Sequence, residues 1–292
     1  MLKRREFLTA ASLTALTACK STPRLSIGSK DTIENRLVSE IACQLLERKL
    51  NARLERNFAI TGSSVNYQSL QSGNLDVYPE YTRIAFKVLL KAQEQADTDL
   101  MLETMQQGFK SNAQAGCLPF LGFDNSHVAV VLADNPNFIV MKALSEISKT
   151  EKGWRLGCTS DYAQSPEGYN ELKLHYKIEE SSTTRLEPIN QLYFGLREKR
   201  VDIVMTGSTD PRLKDPKYKV LEDDLHVLGP NRCSLVYRTE AARKYPSILP
   251  VLQSLSGKLD SMTMQNLNGE IELNKRGFAE VAEEWLKKQG LV

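Results

Sequence analysis

Leu70-Gln71-Ser72-Gly73-Asn74-Leu75-Asp76-Val77-Tyr78-Pro79-Glu80-Tyr81-Thr82 changes its structural period within thirteen residues. Just upstream, Gly62-Ser63-Ser64 is a turn that opens a helix running through Leu70. Gly73 stops that helix, because glycine takes the left-handed backbone of a helix end without a Cβ clash. Leu75–Tyr78 then alternates as a strand with Tyr78 on the core side, and Pro79 predicts a break after it, since proline has no N–H to give a ladder. Helix, turn and buried strand in immediate succession are the unit of a parallel sheet covered by helices.

The same unit recurs outward in both directions. Leu25–Ser29 reads as a strand and Thr32–Leu50 as a helix, with Leu37, Ile41 and Leu45 on one stripe beside Val38, Ala42 and Leu46. Arg53–Asn57, Val128–Ala133, Trp154–Gly157, Val201–Met205 and Ser234–Tyr237 read as further strands. Helices are expected at 99–112, near 168–176 and 190–200, and at 240–245, 249–255, 260–267 and 277–288. The chain has 292 residues, which suits two such sheets better than one. No repeat or low-complexity tract stands out. The 38 Lys and Arg against 36 Asp and Glu give a net charge of +2, too small to draw the chain onto nucleic acid by charge alone.

The N-terminus reads as an address. Lys3, Arg4 and Arg5 form a basic region, and Phe7–Ala18 is an apolar stretch of twelve residues, long enough for a signal core and too short to span a bilayer. Leu16-Thr17-Ala18-Cys19 resembles the lipobox of bacterial lipoproteins, in which the chain is cut before the cysteine and its thiol is acylated. Arg4-Arg5-Glu6-Phe7-Leu8 also resembles a twin-arginine export signal, and the choice between the two export routes stays open. The expectation is a signal peptide at 1–18, a lipidated tether at 19–24, and an exported chain anchored at the cell envelope through Cys19. Cleavage there removes three basic residues and one acidic one, leaving 35 of each. Cys43, Cys117, Cys158 and Cys233 contain no Cys-x-x-Cys pair, so zinc is not expected. Four cysteines allow three disulfide pairings, and buried free thiols are equally compatible with their apolar surroundings.

Leu25-Ser26-Ile27-Gly28-Ser29-Lys30 with Glu34, the run Leu70 to Thr82, Leu121 to Ser126, Ser208-Thr209-Asp210, Leu221 to Asp224 and the tail from Gly257 to Leu291 together resemble the substrate-binding proteins of osmoprotectant ABC transporters. That family takes up glycine betaine, choline, carnitine and related compounds. The resemblance implies a two-lobed α/β fold of the periplasmic-binding-protein type II class, with the ligand in a cleft between lobes. One lobe would comprise residues 25–125 and 231–292, and the other residues 126–230. It further implies a monomeric receptor that hands a small molecule to a permease and its ATPase subunit. No cofactor is expected, and an enzyme is not.

The resemblance breaks where ligand chemistry is decided. Quaternary-ammonium binders in the family surround the cation with aromatic faces, which attract a charge that has no hydrogen to donate. Of the four cage positions carried over, Tyr81 matches, while His127, Gly207 and Asn231 stand where aromatics are expected. Arg83 and Arg232 lie close by in sequence, and Asn35 replaces a frequent Gln. The expected ligand residues are Asn35, Ser63, Ser64, Tyr81, His127, Thr159, Tyr162, Ser208, Asn231 and Arg232. The expected ligand is a small polar or anionic solute. The alternatives are a betaine or choline binder with a cage rebuilt around Tyr162, and an enzyme or sensory receptor on the same fold. No nucleophile–base pair accompanies Ser160 or Ser208. His127, His175 and His226 are too scattered for a metal site, Asp223-Asp224 reads as a solvated turn, and Arg197–Arg200 reads as a solvated helix end.

Overall fold

The computed structural model describes residues 22–93, 97–149, 153–165, 168–178 and 185–292. The signal segment and Cys19 lie outside the described residues. In chain order the described strands are β1 (Arg24–Lys30), β2 (Arg53–Ile60), β3 (Val77–Tyr81), β4 (Ala115–Cys117), β5 (His127–Leu132), β6 (Leu156–Cys158), β7 (Arg185–Leu186), β8 (Ile203–Gly207), β9 (Tyr218–Leu221) and β10 (Cys233–Arg238). They form two five-stranded sheets, ordered β2-β1-β3-β10-β4 and β7-β6-β8-β5-β9.

Helices cover both faces of each sheet, as a parallel arrangement requires. On one face of the first sheet, Leu37, Ile41 and Leu45 of the helix Ile33–Leu50 pack with Ile27, Trp285 and Leu286. On the other face lie Tyr67, Leu70, Phe86, Met105 and Phe109. The second sheet packs Phe138, Trp154, Leu156 and Tyr176 on one face and Leu192 and Leu196 on the other. The helix Ile33–Leu50 starts where the sequence implies: Thr32 accepts a hydrogen bond from the Asn35 N–H at 3.3 Å, and Asn51 closes the other end with φ of 51°.

Both sheets are mixed rather than wholly parallel. β10 runs antiparallel to β3, and β5 runs antiparallel to β8. These two strands bring the chain back across its sheet after each passage between the sheets. The stretches leading into them lie side by side: Asp124 bridges Arg232, the Asn125 N–H donates to the Asn231 carbonyl at 3.0 Å, and Asn231 N–H donates to Asp124 Oδ1 at 3.0 Å.

Pro79 does not end its strand; β3 continues through it to Tyr81. The Thr82 N–H donates to the Arg232 carbonyl, which places the backbone of alternate residues, Pro79 and Tyr81 among them, toward β1. There β1 pairs with β3 only at Ile27–Val77, so no ladder bond is lost at the proline. The Tyr81 N–H on that side is satisfied by Glu80 Oε1 at 2.9 Å.

A short internal echo also becomes visible. Leu70…Leu75-Asp76-Val77 and Leu196…Val201-Asp202-Ile203 have equal spacing, and each closes a helix and opens a strand. Gly73 and Lys199 occupy the same place in the two runs, with φ of 82° and 55°. Asp76 accepts from the Ser26 N–H at 3.0 Å and from Arg238 at 2.6 Å, while Asp202 accepts from the Arg155 N–H at 3.0 Å and its guanidinium at 2.8 Å. Each aspartate thus pins the start of one strand to the backbone of the next. The four cysteines of the described residues are buried and unbridged.

Candidate functional site

In open α/β sheets, ligands bind beyond the carboxyl ends of parallel strands. Here those ends carry Lys30 (β1), Gly62-Ser63 after β2, Tyr81 (β3), Thr159 after β6 and Gly207 (β8), and His127 opens β5 at the same edge. Most of the residues expected from the sequence gather at these ends, yet several are committed to protein partners.

On the first sheet, Ser63 donates to Glu80 Oε1 at 3.0 Å, whereas Ser64 is exposed. Asn35 is buried and donates to Thr32 Oγ1 at 2.8 Å, leaving its carbonyl oxygen without a partner. Tyr81 is buried, meets Phe123 edge-on at 6.1 Å, and donates its hydroxyl to Glu34 Oε1 at 2.6 Å. Burial and the neighbouring Glu34 carboxylate hold this phenol protonated far beyond its ordinary range. The Lys30 ammonium stands 4.8 Å from the centre of the Tyr81 ring and 3.5 Å from Glu80 Oε1. One face of the Tyr81 ring is therefore already occupied by the protein's own cation. Glu80 is wholly buried and its Oε2 has no partner.

On the second sheet, His127 packs edge-on against Tyr162, with ring centres 4.5 Å apart. His127 Nδ1 is buried without a hydrogen-bond partner. Loss of solvent and then the Arg83 charge push the imidazole down to about 3, so it stays neutral at physiological pH. Thr159 caps the short helix Ser160–Gln164, accepting from the Tyr162 N–H at 3.3 Å.

Between the sheets, Arg83 is buried and donates from Nη1 to the Val227 carbonyl at 3.1 Å, while its backbone N–H donates to Asn231 Oδ1 at 3.3 Å. Gly229, with φ of 38°, leaves room for that guanidinium: a Cβ there would lie 2.6 Å from Nη1. Asn231 also donates to the Asn125 carbonyl at 3.1 Å, so its side chain braces the crossing. Arg232 pairs its backbone with Thr82, and its Nε is buried without a partner. Ser208 donates to the Asp124 carbonyl at 2.9 Å. Gly207 pairs with His127, and a Cβ there would strike Asn125 Oδ1. An aromatic ring at 207 is thus sterically incompatible with this placement of Asn125.

Sequence reasoning missed Lys30, Glu34 and Glu80 as parts of this region. All three lie in the runs that carry the family resemblance, but the pairing of buried Glu80 with Lys30 and the burial of Glu34 among neutral donors are products of tertiary packing. Asp223-Asp224 is a partly exposed turn, as the sequence suggests, and its carboxylates also have structural partners. Asp223 accepts from the Tyr176 hydroxyl and from the Val227 and Leu228 N–H groups, and Asp224 accepts from Ser145, so the pair anchors a loop. His175 is half exposed and pairs with Glu171 at 3.4 Å, as a surface residue does. Among the described residues no cluster of His, Cys, Asp or Glu could hold a metal ion, and no helix is long and apolar enough to cross a membrane.

A family model described as "Substrate binding domain of ABC-type glycine betaine transport system" matches residues 23–288. The carnitine transport binding protein OpuCC of Listeria monocytogenes is 25% identical over 284 residues, covering 97% of this chain and 92% of that protein. The ergothioneine transport permease/ergothioneine binding protein EgtU of Helicobacter pylori is 26% identical over 268 residues, covering 91% of this chain; the chain spans about half (48%) of that protein's length. A crystal structure of a glycine betaine/carnitine/choline ABC transporter protein superimposes with a TM-score of 0.77 at 27% identity, covering 91% of this chain and 99% of that one. Apo YehZ from Escherichia coli shares the fold, with a TM-score of 0.69 at 19% identity over 93% of this chain and 100% of that one.

Proposed function

The chain belongs to the family of substrate-binding domains of ABC-type glycine betaine transport systems, and from that premise we propose that it is an exported, lipid-anchored receptor that delivers a small polar or anionic solute to a permease and its ATPase subunit. Residues 25–125 and 231–292 act as one lobe and residues 126–230 as the other. The solute is held between Lys30, Ser63 and Tyr81 on the first and His127, Thr159 and Tyr162 on the second, with Arg83 and Arg232 at the crossing that Asn231 braces. Acylation of Cys19 keeps the receptor at the membrane.

One observation carries the ligand class: the Lys30 ammonium lies over the Tyr81 ring at 4.8 Å. A permanent cation seeking that face meets a like charge, with Arg83 and Arg232 nearby. Three further cage positions offer an imidazole, a glycine and an amide instead of phenol rings. A carboxylate or similar acceptor would share the Lys30 ammonium with Glu80, 3.5 Å away, and finds its further positive charge in Arg83 and Arg232. The Glu80 oxygen that Ser63 meets is already shared by the Tyr81 N–H and the Lys30 ammonium, so the reading is binding without chemistry.

A thermal-shift panel on the chain from residue 22 onward tests this. A ligand at 100 times its dissociation constant stabilises by about 2.7 kcal/mol. The expected result is a shift with small organic anions or amino acids and none with choline. A shift with choline alone restores the rebuilt-cage reading. Anchoring is tested separately: the full chain partitions with membranes, and Cys19→Ser releases it; release of neither or both refutes the anchor.

A further inference from the structure

We propose that Glu34 is an interlobe pin: its buried carboxylate ties the turn after β8 to the first sheet, limits how far the two sheets move apart, and positions the Tyr81 ring. The inference does not depend on which solute the cleft takes. Glu34 stands in the first turn of the helix Ile33–Leu50 and is 6% exposed. Among the described residues no ion pair reaches it. Instead, four neutral donors from four separate segments converge on its two oxygens.

Oε1 accepts from the Tyr81 hydroxyl at 2.6 Å and from Asn125 Nδ2 at 2.8 Å. Oε2 accepts from Thr209 Oγ1 at 2.5 Å and from Asn268 Nδ2 at 3.0 Å. Tyr81 ends β3, Asn125 lies on the stretch leading into the second sheet, Thr209 follows β8 of that sheet, and Asn268 belongs to the helix Ser261–Glu272, which packs with the first. Thr209 is held twice more: its N–H donates to Asn125 Oδ1 at 3.4 Å, and its carbonyl accepts from Asn268 at 3.2 Å.

A buried charge without a cation is tolerated only when its lone pairs are filled. That requirement couples the four segments. Sliding the turn at Thr209 away from the first sheet strips a donor from the carboxylate in a place that excludes water, so separation of the sheets at this point is opposed by more than the lost contact. A glutamine at position 34 would present its NH2 to donors on one side and weaken the whole set. A valine at 209 keeps the shape of threonine and removes only the hydroxyl that reaches across.

The test places nitroxide labels at Gln68→Cys and Gln191→Cys, both exposed and on opposite sheets, and measures their distance distribution by pulsed EPR without added solute. The labelled chain starts at residue 22, so Cys19 is absent, and the four remaining native cysteines are buried and stay unlabelled. Thr209→Val and Glu34→Gln are each expected to broaden the distribution or displace its mean by more than the width of the native peak. The double variant is expected to go no further than Glu34→Gln alone, because both remove the same link. Tyr81→Phe, whose bond to Glu34 stays within the first sheet, is expected to leave the distance in place. Distances unchanged in Thr209→Val overturn the proposal, including when thermal stability falls. If Glu34→Gln does not fold, Thr209→Val alone decides.

Discussion

Gly207→Ala isolates the steric contact that separates this cleft from an aromatic cage. A Cβ at 207 runs into Asn125 Oδ1, and Asn125 has nowhere costless to go. Its side chain donates to the Glu34 carboxylate at 2.8 Å and accepts from the Thr209 N–H at 3.4 Å, while its backbone is bonded to Asn231. Turning the amide away forfeits one charge-assisted bond and one weak neutral bond, at roughly 1.5–3 and about 0.5–1 kcal/mol. The sum is about 2–4 kcal/mol, which for a chain of this size lowers Tm by about 4–7 °C. Urea unfolding of Gly207→Ala, Asn125→Ala and the double variant forms the assay. The double variant should cost no more than Asn125→Ala alone, because the alanine at 125 removes the atom that is struck. A Gly207→Ala cost below about 0.5 kcal/mol, the scale of ordinary surface changes, or full additivity in the double variant, refutes the steric argument.

Two further outcomes follow from the buried groups. His127 has a folded-state pKa lowered to about 3 from an ordinary 6.5, so unfolding at intermediate pH takes up a proton. Its contribution leaves stability untouched above pH 6.5 and erodes it as pH falls toward 3, by at most about 1.4 kcal/mol per pH unit. His127→Asn should flatten that slope, and an NMR titration placing the imidazole near its ordinary value would contradict the burial argument. Burial raises the thiols of Cys43, Cys117 and Cys233 above their ordinary range. In the chain from residue 22 onward, Ellman's reagent should therefore find no fast-reacting thiol before denaturation and four after it; fewer than four would indicate a bridge.

The architecture was legible wherever a local pattern closed on itself. The stripe of Leu37, Ile41 and Leu45, the cap at Thr32 and the apolar run at Val128–Ala133 each predict an element from neighbouring residues alone. Ala115–Cys117 and Tyr218–Leu221 were not legible, because strands of three and four residues form only when a longer neighbour offers them an edge. Pro79 misled for a similar reason: whether a missing N–H matters depends on whether β1 is still paired with β3 at that point. The site followed the same division. Motif positions placed Tyr81, His127 and Arg232 at the strand ends, since those follow from connectivity. Glu34 was passed over because its role is assembled by donors as distant in sequence as Thr209 and Asn268. Asn231 was expected to face solute, but its amide has bonds to the crossing segments, which only the paired backbone could reveal.

The central claim is that the cleft selects against a permanent cation because the protein supplies its own. Isothermal titration of glycine betaine into the chain from residue 22 onward, at physiological ionic strength, tests it most directly. The account predicts no micromolar binding to the native chain, whereas a clear micromolar isotherm for glycine betaine would contradict it.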